Sequence, residues 1–169
     1  MTAVTIVSPT EADWRSVRDL RLEMLRDTPI AFMETVEAAE AHSEETWRMR
    51  ANRGNTPDSV QLVAVDASGR WVGTMSGFVD RLDVGGALLA GVFVSPSARG
   101  RQSGVADALL DAVEDWARGQ GTTLTLNVHE DNEHAIAFYR RRGYDLTGRT
   151  IPYNLDPTRN ELEMRRTVV

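Results

Sequence analysis

The chain has 169 residues, of which 41% are hydrophobic and 26% charged, enough to fold as one domain over residues 1–169 around a buried core. Nineteen Lys and Arg against 25 Asp and Glu leave a net charge of −6, so no overall field draws the protein to nucleic acid or anionic lipid. Cysteine is absent, which excludes disulfides, thiolate nucleophiles and Cys-based metal sites; every strongly basic residue is arginine, which excludes a Walker-type lysine and Schiff-base chemistry.

His42, His129 and His134 are too scattered to suggest a metal cage. The longest apolar run, Ala87 to Val94, is eight residues, and no charged segment followed by a long apolar stretch opens the chain. A cytoplasmic protein with neither signal peptide nor membrane span is the expectation.

In chain order, Ala3 to Val7 alternates like a short strand. Trp14, Val17, Leu20, Met24 and Leu25 then recur at helical spacing until Asp27-Thr28-Pro29 stops them. An acidic helical stretch follows from about Met33 to Met49, and a loop from Asn52 to Asp58. Val60–Val65 and Trp71–Val79 are β-rich and joined by Asp66-Ala67-Ser68-Gly69, the composition of a hairpin turn. After a loop from Asp80 to Gly86, the uncharged run Ala87–Val94 reads as a central strand covered on both faces, ended by Pro96. Val105, Leu109, Leu110, Val113 and Ala117 mark one stripe of a helix closed by Gly119. Thr123–Val128 is a strand, Asn132–Arg142 a helix capped by Gly143, and Tyr144–Ile151 and Glu161–Val168 are two last strands. The order makes a mixed α/β sheet flanked by helices.

Two segments carry chemistry. Ser95 to Ala106, with Arg99, Gly100, Arg101 and Gly104, is a glycine-rich turn that runs into a helix. Such a turn leaves backbone N–H groups unpaired at the positive end of the helix dipole, which suits a phosphate without any lysine. The second is Asn132-x-x-Ala135-x-x-Phe138-Tyr139-x-x-x-Gly143-Tyr144. On a helix Asn132, Ala135 and Tyr139 share a side that either lines a pocket or serves as an N-cap and a core aromatic.

Together, at this spacing, the two segments resemble the GCN5-related N-acetyltransferase (GNAT) superfamily over about residues 60 to 148. The signature Gln/Arg-x-x-Gly-x-Gly/Ala reads as Arg101-x-x-Gly104-x-Ala106, although Pro96 stands three residues before Arg99, so a register starting at Arg99 remains open. The resemblance implies a GNAT-like fold and an acetyl-coenzyme A site. Main-chain groups of Val92, Phe93 and Val94 would hold the pantetheine arm, and amides of Gln102, Ser103, Gly104, Val105 and Ala106 the pyrophosphate. Asn132 would bond the cofactor arm, and Tyr139 would face the sulfur as general acid.

Acetyl transfer to an amine needs a neutral amine, a stabilised oxyanion and a proton for the leaving sulfur. Some relatives carry a glutamate on the strand before the turn; Ala87–Val94 has none, and by position His129 and Glu130 are the nearest base candidates, with relayed water as the alternative. Glu34, Glu37, Glu40, Glu44 and Glu45 come without an intervening basic residue, so a cationic acceptor near Glu34 and Glu37 is one expectation and a solvated helix face the other. Arg140-Arg141-Arg142 sits where cations favour a helix C-terminus, a structural reading rather than a nucleic-acid contact. The expected activity is N-acetylation of a small-molecule or peptide amine; the alternative is a non-catalytic acyl-coenzyme A sensor. Oligomeric state, a homodimer included, leaves no readable spacing.

Overall fold

The computed structural model describes residues 3–81 and 86–169. Its strands are β1 (Val4–Val7), β2 (Ser59–Asp66), β3 (Trp71–Asp80), β4 (Gly86–Val94), β5 (Thr123–His129), β6 (Asp145–Tyr153) and β7 (Asp156–Thr167). Its α-helices are α1 (Trp14–Asp27), α2 (Val36–Glu40), α3 (Glu44–Asn52), α4 (Val105–Arg118) and α5 (Glu133–Arg141). The strands form one mixed sheet in the order β1-β2-β3-β4-β5-β7-β6, in which β4 and β5 are parallel and every other neighbouring pair is antiparallel.

Period-2 patterning splits the strand side chains between two cores. Leu62, Met75 and Leu126 pack with Val105, Leu109 and Val113 of α4 on one face. Val63 and Phe93 pack with Trp14, Met24 and Leu25 of α1 and Trp47 of α3 on the other. The stripe on α4 is completely buried at Val105, Leu109, Leu110 and Val113. Burial of each such side chain contributes about 1.5–3 kcal/mol, so α4 is fixed firmly against the sheet and its first turn has little freedom.

Two expectations need correction. The acidic stretch 33–49 is not one helix, because two N-caps divide it. The Thr35 hydroxyl accepts from Ala38 N and the Ser43 hydroxyl from Thr46 N, each at 3.2 Å, and each cap starts its own helix. β4 is central, but only its first half has strands on both sides. Its pairing with β5 covers Ala87, Leu88 and Leu89, while pairing with β3 continues to Val94. Of the loop expected from Asp80 to Gly86, residues 82–85 lie outside the described residues. No helix among the described residues is long and apolar enough to cross a membrane.

Candidate active site

The separation of β4 from β5 creates the site. Beyond Leu89↔Leu126 both strands continue, to Val94 and His129, without pairing to each other. On its other side β4 stays on β3 through a bulge opposite Thr74–Ser76. Ser95 N donates to Val72 O at 2.8 Å, so by the alternation of an antiparallel ladder the preceding Val94 turns its N–H and C=O toward the opening. A cleft of about 580 Å³ occupies this opening. Val92, Phe93 and Val94 line one side, the turn before α4 and its first residues another, and α5 a third.

The turn is shaped by glycine. Gly100 has φ +103°, and Gly104, the N-cap of α4, has φ +69° in the left-handed region, where a Cβ is disfavoured. The first bond closing the helix is Ala108 N to Gly104 O at 2.9 Å. Among the described residues no acceptor takes the amides of Gly104, Val105 or Ala106, so three N–H groups stand at the dipole's positive end. Ser103 is fixed by its hydroxyl, which donates to Ala98 O at 2.6 Å. Arg99 is structural: its Nε donates to Val94 O at 2.8 Å and its guanidinium pairs with Asp27 at the end of α1. Arg101 is exposed at the cleft mouth and has no ion pair, and Gln102 is exposed beside it. With α4 opening at Val105, the helix start falls where the signature beginning at Arg101 puts it.

Asn132 caps α5 with its Oδ1, which accepts from Ala135 N at 3.2 Å, and its amide N–H₂ is left for the cleft it lines. Tyr139 also lines the cleft, is 4% exposed, and rests edge-on against Phe138 and Tyr144. Burial pushes its phenol well above the ordinary tyrosine value, so it keeps its proton at any working pH. The arginines that end α5 are spent on α4. Arg141 and Arg142 bond Asp107, Arg142 also reaches Asp111 and Glu114, and Glu114 accepts from Tyr144 Oη at 3.0 Å. Burial raises the pKa of Asp107, and the bonds from Arg141 and Arg142 outweigh it and lower the net value. These ties set the width of the cleft between the two helices.

The other candidate residues lie elsewhere. His129 ends β5, 4% exposed, with its Nδ1 accepting from Asp131 N at 3.1 Å and Tyr153 packed edge-on at 4.8 Å. Glu130 Oε1 accepts from Asn160 N at 3.0 Å and pairs with Arg159. Neither lines the cleft. Opposite His129 on β7 stands Glu161, buried, with Oε2 unbonded; burial raises its pKa and the nearby His129 opposes the rise. Only the register of β5 on β7 joins these two, and no sequence spacing announces it.

Glu34 is not free for a ligand. Its Oε2 accepts from Arg21 Nε at 2.9 Å and Arg50 Nη1 at 3.1 Å; its Oε1 accepts from Arg50 Nη2 at 2.9 Å and from His42 Nε2 at 2.8 Å. Burial alone would raise this carboxyl, but the bonds from Arg50, His42 and Arg21 bring it down to about 2. Glu37 is exposed in the first turn of α2.

Residues 14–144 match the model of the acetyltransferase (GNAT) family. This chain belongs to that family. Peptidyl-lysine N-acetyltransferase YjaB of Escherichia coli is similar over 98 residues at 32% identity, covering 58% of each chain, so the match spans less than two thirds of that relative's length. An acetyltransferase of the GNAT family from Streptococcus pneumoniae superposes with a TM-score of 0.82 over 99% of this chain and 100% of its own, at 15% identity. PaiA N-acetyltransferase from Thermoplasma acidophilum, solved with coenzyme A, superposes at 0.68 over 98% and 99%, at 18% identity. At those identities the two structures speak for the GNAT fold, in agreement with the family match.

Proposed function

We propose that this GNAT enzyme transfers an acetyl group from acetyl-coenzyme A directly to the primary amine of a small molecule or peptide. One observation supports the reading above the others: Val92–Val94 on the unpaired stretch of β4, Ser103 and Ala106 at the start of α4 and Tyr139 of α5 line one cleft. The donor set suits the cofactor. Main-chain N–H groups at a helix N-terminus fit a pyrophosphate, an open strand edge fits an amide-bearing arm, and the apolar residues among them fit its methylenes. Gly104, Val105 and Ala106 would hold the pyrophosphate, Val92–Val94 and the Asn132 amide the arm.

Bound acetyl-coenzyme A supplies an acyl group activated as a thioester. The Val94 N–H, fixed by the strand, donates to the oxygen on which charge develops. Tyr139 delivers its proton to the departing sulfur and regains one from solvent. The C–N bond forms as the C–S bond breaks; a neutral amine gives up one proton and the sulfur ends as a thiol. No covalent enzyme intermediate is needed, in keeping with a chain without cysteine. Neither His129 nor Glu130 lines the cleft, so the amine's proton leaves through cleft water.

Thiol release with acetyl-coenzyme A over a panel of amines tests the reading. Turnover on at least one amine supports it. Binding of the cofactor with no turnover on any amine, and no effect of Tyr139→Phe, would instead make the protein an acyl-coenzyme A sensor.

A further inference from the structure

A second hollow, of about 30 Å³, lies on the face of the sheet that carries α1 and α3. Its floor is Gln61, Thr74, Ser76 and Gly91, from three adjacent strands. Arg21 of α1 and Arg50 of α3 stand in its walls, with Arg53 just past the end of α3. No carboxylate lines it. Glu34, beside it, binds Arg21 and Arg50 and has both oxygens occupied, so one negative charge answers three positive ones.

Arg53, exposed at the rim of the hollow, makes no ion pair or side-chain hydrogen bond among the described residues, and its neighbours Arg21 and Arg50 repel it. Arg21 is paired with Glu34, and burial still lowers its pKa. Gln61 is 6% exposed and its Oε1 has no partner. A buried polar group left unbonded is destabilising, and a ligand that donates to it removes that cost. The position of Arg53 is enforced by the chain: at Gly54 a Cβ would come within 2.4 Å of Gln61 N, so the backbone after α3 lies directly on β2.

The hollow also abuts the cleft. Gly91 lines the hollow and the next residue, Val92, lines the cleft; one strand residue spans about 3.3 Å. On α1, Met24 lines the hollow, and Thr28, just after the helix, lines the cleft. The two hollows are therefore neighbours along β4 and along the chain that leaves α1.

We propose that the acceptor is a free amino acid, its carboxylate bound among Arg21, Arg50 and Arg53, an N–H shared with Gln61 Oε1, and its amine directed along β4 toward Val92. This inference rests on the acetyl-transfer reading. It replaces the expectation of a cationic acceptor, since the glutamate nearest the hollow already serves its arginines.

The test offers the protein, with coenzyme A present, each L-amino acid as the free acid and as its α-carboxamide, together with a lysine peptide blocked at both ends. Binding is read from the fluorescence of Trp47 and Trp71, which line the hollow, and turnover from thiol release with acetyl-coenzyme A. At least one free acid is expected to bind ten-fold or more tightly than its carboxamide. Arg53→Gln, which removes no ion pair, should raise KM for the acid and not for the carboxamide. Arg48→Gln, the same charge change at a residue paired with Glu44 outside the hollow, should leave the preference intact. Acids and carboxamides binding alike, or an acid preference that survives Arg53→Gln, would overturn the proposal, as would the blocked peptide proving the best acceptor. Thiol release on no acceptor, with free acids still selected by fluorescence, would refute acetyl transfer and leave the anion site standing.

Discussion

The two hollows on either side of Val92 are built from opposite materials. The cleft beside α4 and α5 presents main-chain amides, an open strand edge and apolar walls; at its rim Arg141 is paired with Asp107, and Arg101 stands exposed. The hollow beneath α1 and α3 presents side chains, three of them guanidinium groups, brought in from five separate elements and one loop. Main-chain binding asks of the sequence only that glycine fall at the right places. Side-chain binding asks for particular residues far apart in the chain, which only the tertiary fold brings together.

The sharpest way to break this contrast is Gly104→Val. A β-branched side chain at φ +69° strains the N-cap by about 1–2 kcal/mol and stands among the three free amides. Calorimetric affinity for coenzyme A on the folded fraction should fall at least thirty-fold, whereas the fluorescence response of Trp47 and Trp71 to a carboxylate should persist. Unchanged affinity would mean that the pyrophosphate is held elsewhere.

Tyr139→Phe separates binding from chemistry within the cleft. Loss of a positioned acid lowers kcat by about 10²-fold, with cofactor affinity within two-fold. Because burial keeps this phenol protonated above its ordinary range, wild-type kcat should show no alkaline fall up to pH 10; an inflection near pH 9 would assign the acid to another group.

On the charged side, Glu34→Gln should flatten the acid limb of stability. The folded pKa of about 2 lies below the ordinary carboxyl value of 4.5, so the stabilisation is complete above pH 4.5 and is lost as pH falls toward 2. Discounted for solvent screening it amounts to about 2 kcal/mol, readable from urea midpoints at pH 7 and pH 3. A variant as acid-sensitive as the wild type would show that the cluster adds no net stability.

The smallest effect belongs to Asn132→Ser. Serine caps as well as asparagine, so Tm should hold, while the lost N–H₂ group should weaken coenzyme A binding a few-fold. A fall in Tm with affinity intact would confine Asn132 to capping.

How much was legible follows from the same contrast. The α4 stripe from Val105 to Ala117 and the caps at Gly104 and Asn132 are local signals, and the structure places them within a residue of their expected positions. The acidic stretch 33–49 misleads because its composition favours helix throughout, and only the caps Thr35 and Ser43 divide it. The separation of β4 from β5 has no mark in the uncharged run Ala87–Val94; it depends on which strand ends up alongside. Arg21, Arg50, Arg53 and Gln61 read individually as surface or strand residues, and tertiary folding alone unites them. Glu161 meets His129 only through the ladder of β7 on β5.

Where β4 peels away from β5, the molecule keeps a raw sheet margin in its interior, walled by α5 and by the chain after α1. Raw margins on a protein's outside invite other polypeptides to add themselves and aggregate. Here α5 and the chain after α1 stand beside that margin, so it is not offered to other polypeptides as an outer strand would be.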